Sequence, residues 1–245
     1  MIKKLLCDFI DRTASFLGEP RWKYVPFAEG YPSKDVLDLL LDVLVEMPGV
    51  LEAMDQFKES EDSQHGSEIA DWLHRLTMEL EAWRTTWILT YPALLQMLRS
   101  QTPSLSELCT LCIDAKPYDD LLGESINCYC AGHIIVAGAY FELVQRKSIP
   151  PDKYPPPYSM AELVQGVIRI SENHLETSNI GMGNIVIVTF PLRIAHRVVA
   201  GRNPEADGKI AALRARTNEH LWRRFNVGYK QPTLEGQEFK KIADE

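Results

Sequence analysis

The segment CYCAGHIIVAGAYF, residues 128–141, is apolar around its entire circumference except for the imidazole of His133. A helix that is hydrophobic on every side has no face to present to water, so it belongs at the centre of a larger structure. The wider span from Ile126 to Val144 approaches membrane length, yet it carries Asn127, His133 and Glu142. Polar groups at those depths fit a buried bundle helix better than a bilayer span. The rest of the chain must therefore wrap around this segment.

The flanking sequence supplies the wrapping, because helical periodicity recurs along it and strand alternation is almost absent. SKDVLDLLLDVLVEM places Val36, Leu37, Leu40 and Leu44 on one stripe, with Ser33 as the expected N-cap and Pro48 after the end. PGVLEAMDQF reads as a short continuation, and the polar KESEDSQHGS as an exposed loop. Ser67 is then positioned to cap a helix running to about Tyr91, where Pro92 disfavours continuation. Ser104 and Glu107 have capping-box spacing, as do Ser159 and Glu162. The longest helix is expected from near Tyr118 to Arg146.

Five prolines between Ile149 and Ser159 favour extended polyproline backbone and a semi-rigid connector. After the helix that follows it, SNIGMGN separates off an apolar helix ending near Ala200, and Asn203-Pro204 opens the last one. No internal repeat is present. The expected fold is all-α, an irregular multi-helix bundle around a central buried helix. Residues 1–245 form a single domain, with a subdivision into 1–149 and 159–228 around the connector 150–158 as the alternative.

A net charge of −8 without any basic block argues against direct nucleic-acid binding. The opening MIKKLLCDFID lacks a signal-peptide core, since Asp8 and Asp11 interrupt it. Five cysteines then suggest free thiols in a reducing compartment, hence a cytoplasmic location. Cys109-x2-Cys112 lies on an apolar helical face, while Cys128 and Cys130 point about 200° apart on a helix. No metal is expected there. The chain shows no P-loop, GxGxxG, GxSxG or HExxH pattern, so no cofactor is expected either.

Three groups of side chains carry both a structural and a chemical reading. Leu80, Trp83, Trp87 and Tyr91 form an aromatic stripe that suits a core, or a pocket wall that binds substrate. Tyr129, His133 and Tyr140 share one face of the long helix. There a neutral imidazole is either satisfied by one partner or lines a ligand cavity with the two phenols. Arg193 and His196 lie three apart on an apolar helix, where a guanidinium needs a carboxylate, a carbonyl or a ligand anion.

FLGEPRWKYVPF, LLLDVLVEMPGVLEAMD, LTMELEAWRTTW and ISENHLE…IGMGNIVIVTFPLRIAHRV, in that order, resemble the C-terminal regulatory region of fungal binuclear zinc-cluster transcription factors. The resemblance covers roughly residues 15–200 and implies an all-α domain that senses small molecules or partners. The family's six-cysteine DNA-binding module has no counterpart here. No zinc ligand carries over, and a coding segment upstream that supplies the module would make the chain part of a regulator.

The expected function is a stand-alone, transcription-factor-like helical domain with an apolar small-molecule pocket. It acts as a cofactor-independent cyclase or isomerase, of cycloaddition type, in fungal secondary metabolism. Catalysis is assigned to His133, Tyr129 and Arg193, and substrate binding to Trp83, Trp87, Tyr91, Tyr140 and His196. The alternative is a non-catalytic ligand-sensing or partner-binding regulatory domain, which would be nuclear. The expected partner is an apolar ligand or substrate, with neither nucleic acid nor membrane, and with a homodimer left open.

Overall fold

A computed structural model describes residues 2–24, 33–60, 63–90, 103–115, 120–176 and 182–228. Among them every regular element is helical: α1 Ile2–Asp11, a 3-10 turn at Phe16–Gly18, α2 Pro20–Tyr24, α3 Val36–Leu44, α4 Met47–Ser60, α5 Ser63–Thr90, α6 Leu105–Ala115, α7 Asp120–Gln145, α8 Met160–Glu176, α9 Met182–Val199 and α10 Pro204–Gly228. The fold is an all-α multi-helix bundle. None of these helices is long and apolar enough to cross a membrane.

The all-round apolar segment is the middle of α7, and α3, α4, α5, α6, α8 and α9 pack against it. Between Leu122 and Val136 every residue of α7 is buried. Gly132 lets α3 and α5 approach closely: a Cβ there would stand 3.0 Å from Leu44 Cδ2 and 3.4 Å from Leu80 Cδ2. Gly166 on α8 does the same at the seam with α6 and α7, where a Cβ would meet the sulfurs of Cys109 and Cys130, each at 3.2 Å. The hydrophobic core is continuous from Leu5 to Leu213 and includes residues on both sides of the proline-rich connector.

The helix ends follow their local chemistry. Ser104 and Glu107 form a reciprocal capping box, as do Ser159 and Glu162, and Asn203 Oδ1 accepts from the Ala206 amide. At α3 the N-cap is Asp35, with Asp38 completing the box, two residues beyond Ser33. The stretch expected as a loop is largely helix, since α4 runs to Ser60 and α5 begins at Ser63. Gly66 explains the difference: a Cβ there would be 3.3 Å or less from the Phe57 ring, so its lack of a side chain lets these polar turns dock. Ser67 is thus inside α5 rather than at its cap, and its hydroxyl accepts from Lys153 Nζ at 3.0 Å.

Helix α7 ends in a Schellman motif. The Lys147 and Ser148 amides bond the carbonyls of Val144 and Leu143, and Lys147 takes a φ of +57° where glycine is usual. The connector that follows is not a continuous polyproline rod. It turns at Pro150–Lys153, where the Lys153 amide bonds the Pro150 carbonyl, and Tyr154 has a φ of +58°. Arg193 and His196 lie on α9 beside α10, where Asp207 and Arg214 stand near them.

Candidate functional site

Helix α7 presents Tyr129 and His133, one turn apart, to helix α5 and to the connector. Their rings meet edge to face, with centroids 4.6 Å apart at 74°. From α5, Glu81 reaches both: the Tyr129 hydroxyl donates to Glu81 Oε1 at 2.6 Å, and His133 Nε2 lies 3.2 Å from the same oxygen. At that distance the imidazole and the carboxylate interact electrostatically, but Nε2 has no well-aligned hydrogen-bond partner although His133 is 2% exposed. Tyr158, at the end of the connector, lies 2.9 Å from the Tyr129 hydroxyl and 3.5 Å from Glu81 Oε2. Since Tyr129 gives its proton to the carboxylate, the chain runs from Tyr158 to Tyr129 to Glu81.

Arg84 closes the outer side, with Nη2 at 2.8 Å from Glu81 Oε2 and Nη1 donating to the Pro103 carbonyl. Its Nε, like His133 Nε2, is buried without a partner. The cluster is graded in exposure. The Glu81 and Arg84 side chains are 23% and 20% exposed, and the imidazole beneath them is closed off.

Electrostatics fix the protonation states. Burial pushes the Glu81 carboxyl up, but His133, Tyr129 and the Arg84 charge outweigh it and hold the group at about 2, ionised at neutral pH. Burial lowers the pKa of His133 further than Glu81 raises it, so the imidazole is neutral. Burial, with the neighbouring phenol and carboxylate, pushes Tyr129 far above the usual phenol range. The Tyr158 phenol is pushed up to about 12, again chiefly by burial. The result is a fixed anion, two protonated phenols and one neutral imidazole with an unused ring nitrogen.

Of the residues singled out in the sequence, Trp83, Trp87, Tyr129 and His133 come together. Trp83 and Trp87 are buried, and their polar tips are already bonded: Trp83 Nε1 to the Val36 carbonyl at 2.6 Å, Trp87 Nε1 to Ser125 Oγ at 2.9 Å. The Trp83 ring lies 5.4 Å from that of Tyr129 and so backs the cluster. Tyr140 shares the face, but its hydroxyl bonds the Pro151 carbonyl and thereby holds the start of the connector. Tyr91 lies outside the described residues.

Arg193 and His196 are not part of this cluster. His196 Nε2 is 3.2 Å from Asp207 Oδ1, and Arg214 lies 3.3 Å from its Nδ1. Arg193 is exposed, and partial burial, then the Arg214 and Arg197 charges, push its pKa down. Of the buried cysteines, Cys109 and Cys130 turn their sulfurs to Gly166 at the seam with α8. Burial, and then the Glu124 charge, push Cys128 up to about 12. Among the described residues no group of three or more His, Cys, Asp or Glu could hold a metal ion.

Glu81, Arg84 and Tyr158 complete the site and escaped the sequence reading. Glu81 and Arg84 flank the tryptophan stripe as ordinary helix-surface charges, and Tyr158 sits in a segment that reads only as spacer. The available signal was helical spacing, which places Glu81 and Arg84 three apart on one face. No protein-family model matches the chain, and comparison with curated proteins and with solved structures gave no match.

Proposed function

We propose that this chain binds an apolar carbonyl compound at His133 and catalyses its isomerisation or cyclisation without a cofactor. The observation that carries the reading is the neutral imidazole whose Nε2 is buried, unbonded and 3.2 Å from a fixed carboxylate. A buried ring nitrogen without a partner is costly unless a ligand uses it. The neutral nitrogen accepts a proton from the carbon beside a substrate carbonyl, and the Tyr129 hydroxyl, turned from Glu81, donates a hydrogen bond to the enolate oxygen. Glu81 stabilises the imidazolium so formed, which returns the same proton to a different carbon. No proton is gained or lost overall, and no redox partner is needed.

The fungal, secondary-metabolite setting rests on the resemblance of residues 15–200 to zinc-cluster regulators. Metabolites from cells with and without the gene should differ by an accumulating compound, which purified protein then converts. His133→Phe should reduce that conversion by about 100-fold or more while the protein stays folded. Binding of the compound without conversion would instead make the chain a ligand-sensing domain.

A further inference from the structure

We infer that the connector Ile149–Ser159 is an exchangeable strap whose Tyr158 phenol occupies the ligand seat beside His133, and that the seat takes a small ring bearing an acidic hydroxyl, a phenol or an enol. The inference rests on the reading that a ligand uses the His133 face, but not on turnover.

Tyr158 occupies its place as a ligand would. Its ring stands edge-on to His133, with centroids 5.0 Å apart at 87°, and edge-on to Tyr129 at 6.3 Å and 73°. Its hydroxyl closes the hydrogen-bond chain to Tyr129 and Glu81. A phenol therefore already fills the seat and meets Tyr129 and Glu81, while His133 Nε2 stays unbonded beneath it. An incoming hydroxylated ring can take the place of the Tyr158 ring and give its proton to that nitrogen instead of to Tyr129.

The strap is anchored at its start by buried Ile149 and by the Tyr140 hydroxyl on the Pro151 carbonyl, and beyond that by contacts at its outer edge. Lys153 Nζ reaches Ser67 Oγ at 3.0 Å and Asp71 Oδ1 at 3.2 Å, and the Asp71 side chain is 60% exposed. Tyr154 stacks on His74 at 4.0 Å while remaining 40% exposed. Solvent-exposed ion pairs of this kind hold weakly. Tyr154 also carries a positive φ of +58°, a backbone state that a tyrosine adopts only under constraint. The prolines at 150, 151, 155, 156 and 157 have no N–H to tie down and little backbone entropy to lose on reclosing. Lys147, also at positive φ, and the Ser159 capping box mark the two ends about which the strap lifts.

The test is calorimetric titration of the full chain with p-cresol and with toluene, which differ by one hydroxyl. The wild type should bind p-cresol at least about tenfold more tightly than toluene. Tyr158→Ala, which empties the seat, should bind p-cresol about tenfold more tightly than the wild type. Lys153→Ala, at the exposed edge, should shift affinity the same way by about threefold, and serves if Tyr158→Ala does not fold. Saturating p-cresol should also speed proteolysis within residues 149–159.

Toluene binding as tightly as p-cresol, affinity unchanged in both variants, or cleavage unaffected by p-cresol would each overturn the inference. Phenol binding without conversion of any accumulated metabolite removes the catalytic reading and leaves the strap. Conversion without phenol binding does the reverse.

Discussion

The molecule contains a second histidine–glutamate pair on α7, and its contrast with the first is instructive. His174 Nε2 lies 3.2 Å from Glu124 Oε1, the same separation as in His133 and Glu81. Both members of the inner pair are buried, at 4% and 1% side-chain exposure, between two uninterrupted helices, and Asn127 donates to Ser171 beside them. The outer pair leaves its carboxylate 23% exposed and is covered by a connector instead of a helix. At the same separation the inner nitrogen is hydrogen-bonded to its carboxylate and the outer one is not. Where both partners are sealed by rigid helices, the pair fixes how α7 and α8 pack. Where one partner meets solvent beneath a strap, the pair is the one we propose receives a ligand. Depth and covering element, more than residue identity, separate scaffold from site.

Breaking the inner pair gives the largest expected effect. Glu124→Ala removes a buried hydrogen bond to His174 and leaves a cavity, and should cost about 3–5 kcal/mol, read as a fall in melting temperature of about 10 °C or more. The pH dependence of stability comes next and belongs to the outer pair. Glu81 titrates at about 2 in the folded protein against an ordinary 4.5, so its contribution is complete above pH 4.5 and disappears as pH falls toward 2. That limb is worth no more than about 3 kcal/mol, and Glu81→Gln should flatten it in denaturant titrations. His133, lowered from 6.5, adds an earlier loss that begins as pH falls through 6.5, and His133→Phe should remove it.

The smallest effects are in the backbone. Gly166→Ala drives a methyl toward two sulfurs 3.2 Å away in the inner seam and should destabilise by about 1–3 kcal/mol. At Gly138, farther along α7, a Cβ meets nothing within 4 Å, so Gly138→Ala should stabilise by about 0.5–1 kcal/mol. Thermal melts of the two variants check both signs.

The helical class and the central position of α7 were legible in the sequence, because an all-round apolar helix admits few other solutions. The capping boxes at Ser104 and Ser159 were legible for a local reason: cap and box residue lie three apart. Half of the site was legible too, since Tyr129 and His133 are one turn apart on one helix. The other half comes from contacts between elements far apart in the chain. Glu81 is 52 residues from His133 in sequence, and Tyr158 reaches the cluster only because the connector folds back across α5 and α7. The inner pair was missed for the same reason: Glu124 and His174 stand on different helices, 50 residues apart.

The most direct measurement is the thermal melting of His133→Phe and His174→Phe, side by side at neutral pH. Phenylalanine fills the volume of either imidazole, so the comparison isolates the ring nitrogens. The account predicts His133→Phe within about 3 °C of the wild type and His174→Phe lower by about 10 °C. Equal, large losses in both would contradict it, because His133 would then be a structural group like its counterpart.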